Sequence, residues 1–133
     1  MDCPECGEAM VVFAVPADVR DVAPGEGTAA ICPRCLSLVG ADERDDAAPP
    51  DPDFSRIVES FPEGEAGAAM AVAVGLLVDS MVLNRETITR LMEAVSDGGA
   101  DPWLVLERIA ASPTVRPDAD VGRARRQLEL LDR

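Results

Sequence analysis

At 133 residues the chain has room for one domain or two very small ones, which excludes large multi-step enzymes. Twenty-five acidic residues against twelve basic ones set the formal charge at -13; every basic residue is Arg, and Lys, His and Tyr are absent. The commonest general bases, the Schiff-base amine and the phenolic acid are therefore missing, and with carboxylates and four Cys as the only catalytic material a non-enzymatic protein is expected.

Residues 1–40 hold all four Cys and short β-branched runs. Cys3-Pro4-Glu5-Cys6 and Cys32-Pro33-Arg34-Cys35 are two Cys-x-x-Cys turns separated by 25 residues. Each turn aims two thiolates at one point, and together they supply the four-sulfur tetrahedron that Zn²⁺ prefers. Gly7 permits the left-handed backbone that closes such a turn, whereas Leu36 stands at the equivalent place in the second turn, which is expected to be less regular. The apolar run Met10–Val15, ended by Pro16, and the segments Ala29–Ile31 and Leu36–Val39 are predicted strands. Strands around paired Cys turns predict a zinc-ribbon module holding one structural Zn²⁺ on Cys3, Cys6, Cys32 and Cys35.

Residues 41–53, with three Pro and six acidic side chains, read as an extended acidic linker. Residues 54–133 read as a helical domain of four to five helices, so the predicted fold class is α+β. Asp53 is a candidate cap for a first helix with Phe54, Ile57, Val58 and Phe61 on one face. A second helix, Glu65 to Leu83, is apolar nearly all round and is expected at the centre of the bundle. Its uncharged run, Ala66–Val78, has 13 residues, short of the ~20 a membrane span needs. Asn84 is the expected cap of a third helix ended by Gly98-Gly99. Asp101-Pro102 starts a fourth containing Trp103, Leu106, Ile109 and Ala110, and Pro117-Asp118 a fifth with Val121, Ala124, Leu128 and Leu131 inward.

The same sulfur set also serves rubredoxin-like iron in electron transfer, but Phe13 is the only aromatic residue of the module. A thiol redox sensor is a further option; a disulfide framework requires an oxidising compartment. No secretory signal is visible at Met1-Asp2-Cys3-Pro4, which predicts a cytoplasmic protein whose paired Cys bind metal. Four Cys close the coordination sphere, so the metal is expected to fold the module and not to act on substrate. Since no Cys follows residue 40, its loss is expected to spare the helices.

Other residues invite an interaction role. Arg123, Arg125 and Arg126 cluster on the last helix as phosphate forks or as a solvated face pairing with Glu129 and Asp132. Gly67, Ala71 and Gly75 form a smooth ridge for internal packing or for a homo-oligomer seam. Asp79 reads as a buried acid or as a partner of Arg85. Acidity disfavours nucleic-acid binding, leaving a protein partner or self-association as the expectation and a nucleic-acid accessory factor as the weaker option. Surface charge of this density repels itself in dilute buffer and is tolerated in concentrated salt, where the Debye length falls from about 10 Å at 0.1 M to about 3 Å at 1 M. A halophilic protein is expected.

The two Cys-Pro-x-Cys turns, Phe13-Ala14-Val15-Pro16-Ala17-Asp18-Val19-Arg20, Pro52-Asp53-Phe54, Leu83-Asn84-Arg85 and Asp101-Pro102-Trp103-Leu104 carry a resemblance over the whole chain. It resembles a group of small haloarchaeal proteins with a zinc-ribbon-like N-terminal motif and a helical C-terminal half. The resemblance implies fold and habitat and no activity.

Overall fold

The computed structural model describes residues 1–131. Strands β1 (Val11–Ala14), β2 (Thr28–Ile31) and β3 (Leu38–Gly40) form an antiparallel sheet in that order, followed by helices α1 (Gly64–Asp97), α2 (Pro102–Ala111) and α3 (Val121–Leu131). The class is α+β. Val11 pairs with Ile31 and Ile31 with Leu38, so all three strands meet where the Cys turns begin.

Three α-helices occur among the described residues, not four or five. The expected first helix is a 3-10 turn, Phe54–Arg56. Asp53 does cap it, accepting from the Ser55 N–H, but the segment before Pro62 is too short to stand as a helix without neighbours. Its apolar residues are buried all the same: Phe54, Ile57 and Phe61 lie inside the core. The second and third expected helices are one element, α1, interrupted where Ser80 takes φ -164° and ψ 104°. Ser80, and not Asn84, caps the second arm, its Oγ accepting from the Leu83 N–H. Asn84 instead donates its side-chain amide back to the Leu76 carbonyl at 3.0 Å, satisfying an acceptor that the break frees.

The later helices start on side-chain caps. Asp101 accepts from the Leu104 N–H with Pro102 in the first turn, as read from the sequence. In α3 the cap is Asp120, which accepts from the Arg123 N–H, and not the Pro117-Asp118 pair. One inward assignment is corrected: Leu131, on the last turn of α3, is 54% exposed. Trp103 is half-buried.

One buried cluster draws on both sides of the chain. Val11, Phe13, Ile31 and Leu36 join Phe54, most of α1 from Ala68 to Leu77, and Val105, Ile109, Val121 and Leu128. Phe13 from the sheet meets Phe54 edge-on at 5.5 Å, and Phe54 stacks on Phe61 at 5.6 Å. α1 has the length and apolarity of a membrane span, yet more than half of its most apolar window is buried inside this core. The small-residue ridge faces inward: a Cβ on Gly67 would stand 2.7 Å from the Phe54 ring, one on Gly75 would stand 2.9 Å from Leu38 Cδ2, and Ala71 is fully buried. The ridge lets α1 press on Phe54 and β3, which is internal packing.

Candidate metal centre

The two Cys turns are built alike. In the first, Cys3 N–H donates to the Glu8 carbonyl at 2.8 Å and Gly7 N–H to the Cys3 carbonyl at 2.9 Å. In the second, Cys32 N–H donates to the Ser37 carbonyl at 2.9 Å and Leu36 N–H to the Cys32 carbonyl at 3.0 Å. Gly7 has φ +80° and Leu36 has φ +64°. The second turn is therefore as regular as the first, against the expectation. Left-handed backbone costs a side-chain-bearing residue roughly 1–2 kcal/mol. Full burial of a Leu side chain returns about 1.5–3 kcal/mol, and Leu36 is 0% exposed. The core contact offsets the strain.

These turns bring the four sulfurs within 4.8 Å of one another. Cys3 Sγ lies 3.6 Å from Cys35 Sγ, and Cys6 Sγ lies 3.5 Å from Cys32 Sγ and 3.9 Å from Cys35 Sγ. Sulfurs placed about 2.3 Å from a central zinc at tetrahedral corners stand roughly 3.8 Å apart. The donor set fits such an ion in number, chemistry and spacing, so the four Cys can hold a metal.

Backbone groups favour thiolates here. Glu5 N–H donates to Cys3 Sγ and Cys35 N–H to Cys32 Sγ, both at 3.4 Å; Ser37 Oγ lies 3.2 Å from Cys35 Sγ. Burial raises the Cys3 thiol, but N–H groups of Cys6 and Glu5 and the Cys35 and Cys32 sulfurs outweigh it and bring it down to about 7. Burial pushes Cys32 up to about 12 against the N–H groups of Cys35 and Arg34. At Cys6 the Glu8 N–H pulls down, yet desolvation and the Cys3 and Cys35 sulfurs leave the thiol raised. Sulfurs this close resist ionising together, and a central cation removes that resistance.

The site is anchored to the rest of the fold. The Arg56 guanidinium donates to the Ala9 carbonyl beside the first turn at 2.8 Å. Arg116 N–H, in the loop before α3, donates to the Arg34 carbonyl inside the second turn at 2.6 Å. Neither contact has a sequence signal: one is a lone Arg in an acidic stretch and the other a main-chain group.

The remaining candidates stand outside the sulfur cluster. Arg123 and Arg126 are exposed, while Arg125 is committed, its Nε donating to the Trp103 carbonyl at 3.3 Å and its Nη1 3.6 Å from Glu129. Asp132, the other expected partner, lies outside the described residues. Asp79 is exposed and forms no ion pair with Arg85, so neither reading of it holds.

A family of unknown function (DUF6276) matches residues 2–131, and the chain belongs to that family. No curated protein and no solved structure matches the chain.

Proposed function

We propose that the chain, as a member of this family, is a non-enzymatic adaptor with a zinc-ribbon site, in which Cys3, Cys6, Cys32 and Cys35 hold one structural Zn²⁺. The observation that carries this reading is the spacing of the four sulfurs, 3.5 to 3.9 Å between the closest pairs. Four thiolates complete a tetrahedral zinc, leave no position for water or substrate, and make metal binding a contribution to folding. The absence of His, Lys and Tyr, which removes the commonest general bases and the nucleophilic amine, supports a non-enzymatic role. The chain then acts by presenting surfaces to a protein partner, in a reducing cytoplasm that keeps the thiols available. Its charge of -13 suits a salt-rich interior.

One observation favours a second reading, a rubredoxin-like iron carrier: both turns aim a backbone N–H at a ligand sulfur, and such bonds tune iron-thiolate potentials. Titration of metal-free protein with Co²⁺ tests the site itself. Visible bands of a tetrahedral thiolate complex, saturating at one equivalent and bleached by Zn²⁺, are expected. Octahedral Co²⁺ spectra or no binding would overturn the four-sulfur site, and iron recovered from the native protein would favour the carrier.

A further inference from the structure

A cleft of about 730 Å³ opens beside the sulfurs, between the first Cys turn, the loop after β1, strand β3 and the middle of α1. Its floor is apolar: Val22, Leu38, Leu76 and Val78 are half-buried and pack against the core. Four carboxylates, Glu5, Asp21, Asp79 and Asp118, line it, and no Arg does. Asp21 also meets Arg90 at 3.9 Å; the other three form no ion pair among the described residues.

The wall has unused hydrogen-bonding capacity. β3 is an edge strand. Cys32 N–H donates to the Ser37 carbonyl and Ala41 N–H to the Thr28 carbonyl, so odd-numbered residues of this segment face β2 with their main chain. Leu38, at the alternate position, turns its N–H and C=O away from β2. An extended chain laid there gains main-chain bonds to Leu38, rests apolar side chains on the floor, and directs every second side chain to the acidic rim.

We propose that this cleft docks an extended cationic segment of a partner protein, one that alternates apolar and basic side chains. The proposal rests on the adaptor reading and names the chemistry of its partner. A second copy of the chain, at -13, and a nucleic acid would both bring like charge to the rim.

The test uses full-length zinc-loaded protein and a capped six-residue peptide alternating Val and Arg, with a Val and Glu peptide as control, followed by amide chemical shifts. Shifts centred on Leu38 and Asp79 with the Arg peptide alone are expected, and the exposed-site double variant Asp79→Asn, Asp118→Asn should weaken binding about tenfold. Equal affinity for the double variant, or shifts spread over the whole acidic surface, would overturn the docking site. Zinc content read on the same samples separates the two claims. Zinc retained without cleft shifts sinks the docking site alone, whereas cleft binding by folded, metal-free protein sustains it and sinks the structural zinc.

Discussion

The backbone N–H of Arg116 donates to the carbonyl of Arg34 at 2.6 Å, tying the loop before α3 to the residue between Cys32 and Cys35. Buried Val115 precedes Arg116, and Val121 and Leu128 of α3 share a cluster with Leu36. Disorder of the second Cys turn therefore frees the loop before α3 and takes Leu36 out of the cluster that α3 shares. That the helices survive loss of a Cys is an expectation resting on sequence distance; the shared cluster predicts otherwise. Cys35→Ser should lower amide-exchange protection across Val121–Leu128 by at least about tenfold as well as in the sheet. Protection unchanged in α3 would show that the metal turns and the helices are energetically independent.

Leu36 carries two opposed energies, left-handed strain and complete burial. Leu36→Ala keeps the strain and loses the burial, for a cost of about 2–5 kcal/mol. Leu36→Gly loses slightly more burial but relieves roughly 1–2 kcal/mol of strain. The glycine variant should thus be the more stable of the two, the reverse of the usual order for a buried site. Chemical denaturation of both metal-loaded variants decides it, and alanine proving more stable would mean that Leu36 is unstrained.

In an open helix, replacing Gly by Ala gains up to ~1 kcal/mol. At Gly67 and Gly75 the sign should invert, because the added methyl meets the Phe54 ring and the Leu38 side chain inside van der Waals distance. Each substitution should destabilise by about 1–3 kcal/mol, a fall of several degrees in Tm. Unchanged or higher Tm would show that α1 stands further from the sheet than described.

Protons compete with the metal for the sulfurs. In the metal-free site Cys32, pushed up to about 12, carries its proton throughout the neutral range, whereas Cys3, near 7, is mostly thiolate at pH 8. Metal binding at pH 8 therefore releases the protons of Cys32 and of Cys6, whose thiol is also raised, and as pH falls through about 7 Cys3 adds another. Apparent Zn²⁺ affinity should fall with acidification and fall more steeply below about pH 7. Calorimetric titrations in buffers of different ionisation heat count the protons. Release that does not change between pH 6 and 8 would contradict the assignment of Cys3.

The sequence exposed what is local. Two Cys-x-x-Cys turns, the short apolar runs beside them and the Asp101-Pro102 helix start are all local signals, and the strands and the helix form at or near them. Where two local signals competed, tertiary packing chose. Ser80 and Asn84 are both N-cap residues; the helix breaks at Ser80 and uses Asn84 to reach back to Leu76. Leu36 looked like a defect in the second turn because its compensation, burial against residues far along the chain, is invisible in a local window. The cleft and the Arg116 to Arg34 bond were beyond sequence reasoning for the same reason: both are made by elements that meet only in the folded chain.

Metal content per chain, measured by elemental mass spectrometry with a visible absorption scan on protein purified in high-potassium buffer with reductant, tests the central claim most directly. One zinc per chain and no visible colour are predicted. Folded protein with no metal and four freely reactive thiols would contradict the account, and iron with charge-transfer bands would replace the structural zinc with an electron carrier.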